Sequence, residues 1–200
     1  MTNIVVSVLC AVSNDGGFGY RYPSEHEYKM PWHCPEDMRR FQKMTLKNVV
    51  VMGSETYLSL PPNVRPLPDR INIILSTSPD KFKTELESES NVIVLTSLSL
   101  LLEWIQNNWH KKVFVIGGKS LITQILSPEN IFSNCISEIH RTVIHQRVFG
   151  ETGVVTDQET HKECLTFNEM LHPDQEWPQF VAGEMQGDTN HTFQTFVRRK

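Results

Sequence analysis

Short apolar runs without alternation are the feature that most restricts what this chain can fold into. They cover residues 4–12, 48–52, 71–76, 92–95, 112–116 and 136–139. A strand with one wet face alternates apolar and polar residues, whereas a strand covered on both faces does not need to. Helical patterns lie between the runs, at residues 35–44, 55–60, 98–107 and 120–126. Strands that alternate with helices read as crossover units and hence as a mostly parallel sheet. The expected fold is therefore α/β, a central sheet flanked by helices. Residues 179–183 and 192–198, joined through Gly187-Asp188, read as a hairpin that adds an antiparallel C-terminal edge. Residues 148–178 are polar and irregular and are expected to form surface loops.

No repeat or Gly/Ser-rich linker interrupts the 200 residues, so residues 1–200 are expected to share a single domain. A formal charge of -4 gives no overall electrostatic reason to bind nucleic acid. No run approaches the roughly 18 apolar residues of a membrane span, and the first residues lack the pattern of a signal peptide. A cytoplasmic monomer is the expectation. Cys10, Cys34, Cys135 and Cys164 are scattered, without metal-ligand spacing, so reduced thiols and no metal are expected. Asn190-His191-Thr192 matches a glycosylation sequon, a chance match in that compartment.

Chemistry concentrates in a few segments. In Trp32-His33-Cys34-Pro35-Glu36-Asp37-Met38-Arg39-Arg40-Phe41, Pro35 suits the first helical position because its missing N–H would have had no intrahelical partner. Asp37 and Phe41 then share a helix face, with Thr45 beside them, which turns an acid toward the core. Glu36 faces about 100° away, spaced to pair with Arg40 on the solvent side. The bland alternative for Asp37 is a structural acid at a helix start. Residues 49–57 run from strand to helix through Gly53, where free backbone N–H groups can receive a phosphate. Val113-Phe114-Val115-Ile116-Gly117-Gly118 repeats the pattern, with paired glycines that permit close backbone approach or simply make a tight turn. Arg70 stands at a strand entrance, suited to bidentate grip on a carboxylate or to an exposed ion pair.

In this order and spacing the segments resemble the signature blocks of dihydrofolate reductase, over nearly the whole chain. Leu9-Cys10-Ala11-Val12-Ser13 with Gly17-Phe18-Gly19 is similar to the family's first strand and the start of its mobile loop, which Met30-Pro31-Trp32 closes. Asp37 follows the tryptophan at the family's spacing. The Met52-Gly53-x-x-Thr56, Pro66-Leu67-Pro68-x-Arg70 and Ile116-Gly117-Gly118 blocks come after it.

The resemblance implies hydride transfer from NADPH to C6 of 7,8-dihydrofolate, giving tetrahydrofolate for one-carbon metabolism, and sensitivity to antifolates. It assigns Asp37 and Trp32 to catalysis: Asp37 would hold the pterin, and the N5 proton would arrive through water near Trp32. Leu9, Cys10, Phe41, Leu60, Leu67 and Arg70 would contact substrate, with Arg70 on the glutamate α-carboxylate and Ser137 backing Asp37 through its hydroxyl. Ala11, Phe18, Gly19, Gly53, Ser54, Glu55, Thr56, Ser76, Thr77, Ile116, Gly117, Gly118, Lys119, Ser120, Leu121 and Ile122 would line the cofactor. The Gly117–Gly118 bond would be cis.

Three departures stand out. Residues 20–29 lengthen the loop over the nicotinamide, Ile122 replaces a family tyrosine, and Ser54-Glu55 and Thr77-Ser78 replace basic phosphate-binding residues. The alternatives are a pyrimidine reductase of the same fold, which lacks the Asp37 and Arg70 blocks, and a catalytically dead homologue kept as a binding or scaffolding protein.

Overall fold

The computed structural model describes residues 5–22, 27–108, 111–132, 134–148, 163–166 and 179–199. In chain order the described strands and α-helices are β1 (Val6–Ser13), β2 (Gly17–Tyr22), β3 (Glu27–Lys29), α1 (Pro35–Thr45), β4 (Val49–Gly53), α2 (Ser54–Ser59) and β5 (Ile71–Leu75). They continue as α3 (Lys83–Ser88), β6 (Val92–Leu95), α4 (Leu98–Asn107), β7 (Val113–Gly117), α5 (Lys119–Leu126), β8 (Ile136–Ile144), β9 (Glu163–Thr166), β10 (Phe180–Gly187) and β11 (His191–Arg198). The contacts separate Met1–Leu9 with Arg40–Ser137 from Cys10–Arg39 with Glu138–Lys200 as two compact units.

In the first unit the strand order is β1-β7-β4-β5-β6 and every neighbouring pair is parallel. The apolar runs are what sequence reading expects of doubly covered strands: Val49, Val50, Val51 and Met52 are wholly buried, as are Ile73 and Ile74. Ser97 caps α4 by accepting the Leu100 N–H, and the helix buries Leu101 and Ile105, one turn apart. α5 buries Leu121, Ile122 and Ile125. On one sheet face Val50, Met52, Tyr57, Leu67, Ile74, Phe82 and Val92 form a core, with Phe41, Leu60, Val94 and Ile116 packed against it.

Asn72 shapes the entrance to β5. Its side chain is completely buried. Oδ1 accepts the Leu67 N–H at 3.0 Å, and Nδ2 donates to the Leu67 carbonyl at 2.9 Å and the Arg70 carbonyl at 3.3 Å. One amide thus closes the loop that carries Leu67 and Arg70, satisfying backbone groups that burial would otherwise leave unpaired.

In the second unit β10, β11 and β8 form an antiparallel set, with β1 next to β8 in the strand order. The hairpin expectation holds, with longer arms. Its turn is closed by Asp188, whose Oδ1 accepts the N–H groups of Asn190 at 2.7 Å and His191 at 3.0 Å. A side chain at Gly187 would collide with the His191 carbonyl oxygen, so only glycine fits.

Two expectations need correction here. β8 runs to Ile144 instead of stopping at Ile139, because the polar residues of its second half are buried and bonded: Arg141 Nε donates to Gln194 Oε1 at 2.7 Å, and His140 lies 3.3 Å from the Thr195 hydroxyl. The segment after Ser13, expected as a mobile loop, contains strands β2 and β3, and β9 adds a third in the order β3-β2-β9. Phe18, Tyr20 and Tyr22 stand at alternate positions, a strand period with aromatic β-formers. Residues 23–26 and most of 148–178 lie outside the described residues. Among the described residues no helix is long and apolar enough to cross a membrane.

Asn72→Ala leaves the Leu67 amide and carbonyl short of their partners. It should lower stability by about 2 to 3 kcal/mol, the cost of orphaned buried polar groups. A lower midpoint in urea unfolding with an unchanged slope would report that loss.

Candidate active site

The start of α1 is built around its missing hydrogen bonds. Pro35 opens the helix, and the Cys34 carbonyl accepts the Met38 N–H at 3.2 Å. Glu36 and Asp37 fall in the first turn, where the helix dipole favours negative charge. Glu36 pairs with Arg39 at 2.5 Å, not with Arg40 as the spacing suggests, so the bridge closes over three residues instead of four. Its carboxyl sits below the ordinary glutamate range, first because its own backbone N–H bonds to it and then because of Arg39.

Asp37 has a different partner. Thr142, wholly buried in β8, donates its hydroxyl to Asp37 Oδ1 at 2.6 Å, within the short range of charge-assisted bonds. Ser137, expected to play this part, instead donates to the Val6 carbonyl at 3.1 Å. The reason is strand parity: Ser137 and Thr142 are an odd number of residues apart on β8, so their side chains leave opposite faces.

Trp32 is half-buried, and its Nε1 is buried without a hydrogen-bond partner among the described residues. Such a donor is where a bound water or ligand atom would be held. Cys10 and Ala11 are buried in β1, Gly19 is buried in β2, and Phe18 is half-buried.

The first unit carries the other candidates. Arg70 is buried, yet among the described residues no carboxylate forms an ion pair with it. Its Nε donates to Thr45 Oγ1 at 2.8 Å, its Nη1 to the Pro68 carbonyl at 2.6 Å, and its guanidinium lies 5.7 Å from the Phe41 ring centroid. Thr45 is itself held by donating to the Phe41 carbonyl at 2.7 Å. Desolvation lowers the Arg70 pKa from its ordinary value, opposed by nearby Asp69. The unused edge of the fork, Nη2 and one hydrogen of Nη1, suits two carboxylate oxygens. Leu67 is buried and Leu60 half-buried on the same core, and Leu9 is buried in β1.

Gly53 and Gly117 end the neighbouring parallel strands β4 and β7. The chain leaves β4 toward β5 but leaves β7 the other way, so this is a topological switch point, where open α/β sheets bind ligands. Side chains are excluded there: a Cβ on Gly118 would stand 2.9 Å from Thr56 Oγ1, and Gly117 has φ of +146. The Gly117–Gly118 bond is cis. Gly118 caps α5 without a side-chain bond, leaving first-turn N–H groups for a ligand. This cradle fits the pyrophosphate of a dinucleotide.

Around it Ser54, Ser76 and Ile116 are half-buried, while Glu55, Thr77, Lys119 and Ser120 are exposed. Leu121 and Ile122 are buried on the core side of α5.

A family model for dihydrofolate reductase matches residues 5–178. The chain belongs to the dihydrofolate reductase family. The dihydrofolate reductase of Saccharomyces cerevisiae is 30% identical over 135 residues, covering 62% of this chain and 60% of that protein. That of Candida albicans is 30% identical over 142 residues, covering 68% of each. A bifunctional dihydrofolate reductase-thymidylate synthase of Paramecium tetraurelia is 31% identical over 143 residues, covering 72% of this chain and 26% of that protein. The chain thus spans less than two thirds of the length of the Paramecium and Saccharomyces relatives. Membership accounts for the fold, an α/β family domain with a mostly parallel sheet and antiparallel C-terminal strands.

Sequence reading misses Thr142 and Asn72. A buried polar run inside an apolar strand, His140-Arg141-Thr142, is the signal that could have found the first. The second sits two residues beyond Arg70.

Gly118→Ala should cost about 1 to 3 kcal/mol of stability through overpacking. Because the clash is with Thr56, the double variant Gly118→Ala/Thr56→Ala should recover part of that loss in a thermal-unfolding cycle.

Proposed function

We propose that this chain reduces 7,8-dihydrofolate to 5,6,7,8-tetrahydrofolate with NADPH, as a cytoplasmic monomeric enzyme. The observation that carries the reading is Asp37 held by the buried Thr142 hydroxyl. A carboxylate fixed in this way is an acceptor of set direction for the exocyclic amine and neighbouring ring N–H of a pterin. Its negative charge favours the electron-poor form of the ring that accepts a hydride.

When bound, NADPH supplies the hydride that goes to C6 of the pterin. Gly53, Thr56, Gly117 and Gly118 hold its backbone in this reading, and Lys119 lies beside them. The N5 proton comes from water at the Trp32 end, while Asp37 accepts hydrogen bonds from the ring. Arg70 takes the α-carboxylate of the glutamate tail, with its fork aimed by Thr45 and Pro68. Leu60, Leu67 and Phe41 offer apolar surface to the benzoyl group, and antifolates would compete at the same groups.

One family model running through both units supports a single domain over residues 1–200. Relatives named dihydrofolate reductase do not favour the pyrimidine reductase, and neither do the retained Asp37 and Arg70. A dead homologue is disfavoured by the intact Trp32, Asp37, Thr56 and Arg70.

Asp37→Asn keeps the shape and removes the charge. Oxidation of NADPH by dihydrofolate, followed by absorbance, should fall by about 100- to 10,000-fold at neutral pH. It should recover partly at low pH, where the substrate is protonated in solution. Near-parental rates in a folded Asp37→Asn would defeat the proposal.

A second comparison separates the two hydroxyls of β8. Thr142→Val removes the donor to Asp37 and should reduce kcat/KM by about tenfold or more, matching the loss of a charged hydrogen bond. Ser137→Ala should stay close to parental. The opposite ranking would restore Ser137 as the supporting residue.

A further inference from the structure

Beside the start of α1, and outside the groups assigned to folate chemistry, Cys34, Glu36 and His191 each bring one ligand atom within 4.8 Å of the other two. Among the described residues no other such group of three occurs. We propose that these three residues form a site for a zinc-class divalent cation that ties the first turn of α1 to the start of β11.

The residue types argue for zinc over magnesium or calcium. Thiolate and imidazole are soft or borderline ligands that suit tetrahedral zinc, whereas the harder cations take oxygen donors almost alone. In a tetrahedral site with metal–ligand bonds of about 2.0 to 2.3 Å, ligand atoms stand about 3.3 to 3.8 Å apart. The three ligand atoms lie within 4.8 Å of one another, about 1 to 1.5 Å beyond that spacing at most. Three protein ligands leave a fourth position for water.

The local structure is prepared for this role. Cys34 and Glu36 flank Pro35, whose ring fixes the backbone between them. His191 is 4% exposed and packs on the Phe193 ring with centroids 4.5 Å apart, so the imidazole has little freedom. Its Nδ1 is buried and has no hydrogen-bond partner among the described residues, although Asp188 Oδ1 lies 3.2 Å away. A carboxylate beside a metal-bound imidazole is the usual outer partner that orients the ring. The Glu36 carboxylate pairs with Arg39 through side chains that are 44% and 67% exposed, and such pairs yield readily to a stronger cation. Binding replaces the Cys34 thiol proton with the metal ion, so metal uptake is coupled to proton release.

The test uses the full chain, reduced and stripped with a chelator, then titrated with Co2+. Saturable binding of one equivalent, with thiolate-to-cobalt charge-transfer absorption in the near ultraviolet and displacement by Zn2+, is the expected result. Cys34→Ser should abolish the charge-transfer band, and Glu36→Gln should weaken binding by roughly tenfold or more. Cys135→Ser should leave both unchanged. His191→Asn should weaken binding too, but its position is buried, so the Cys34 and Glu36 variants decide the matter, with circular dichroism confirming their fold. A folded parent that binds no Co2+ overturns the site, as does a charge-transfer band that survives Cys34→Ser. Since the readout is spectroscopic, it is independent of whether the chain reduces dihydrofolate.

Discussion

The close approach of β4 and β7 at their C-terminal ends constrains much of what the first unit can do. Their parallel ladder holds from Val49 opposite Val113 to Val51 opposite Val115, and then slips so that Met52 lies opposite Gly117. Past the slip, Thr56 Oγ1 stands so near Gly118 that no side chain fits between them. The sheet withholds side chains at the point where two helices begin, which leaves backbone N–H groups open to the proposed cofactor. The buried valines of β4 make this possible, since a strand packed on both faces cannot drift to fill the gap.

Most of the fold is legible in the sequence because burial on both faces leaves a plain mark. The runs at 48–52, 71–76, 92–95 and 112–116 correspond to β4, β5, β6 and β7 within a residue or so. The failures have a common origin. The apolar signal of β8 ends at Ile139 because His140, Arg141 and Thr142 are polar, and a sequence does not show that each has a partner across the sheet or on α1. β2 and β3 resemble loop because glycines and a long polar stretch outweigh the aromatic alternation. In both cases tertiary pairing satisfies groups whose composition argues for solvent.

Within the candidate site, local features are readable and distant ones are not. Asp37, Arg70 and the glycine pair are each readable as candidates on a single element, beside a structural alternative, and the resemblance to the family is what selects them. Thr142 reaches Asp37 across 105 positions of chain, and strand parity, which excludes Ser137, can be applied only once the register is known. His191 is likewise remote from Cys34 and Glu36, so a ligand set assembled by folding carries no spacing signature. Scattered cysteines in a sequence therefore say little about whether one of them meets a histidine.

In the proposed reading Arg70 carries a structural and a recognition role on one side chain. Two of its N–H groups are committed, to Thr45 and to Pro68, and the face of the guanidinium covers Phe41. A lysine could satisfy neither geometry, since its ammonium is a single point of charge on a flexible stem. The committed bonds remove the rotamer freedom that a ligand would otherwise have to quench, so the remaining edge of the fork is presented already ordered. Burial lowers the Arg70 pKa, yet a guanidinium remains charged at any physiological pH. With no carboxylate in an ion pair with it among the described residues, that charge rests on carbonyl, hydroxyl and ring contacts and on the nearby charge of Asp69. A buried cation in this state gains more from an incoming carboxylate than an exposed one would, because its solvation has already been given up during folding.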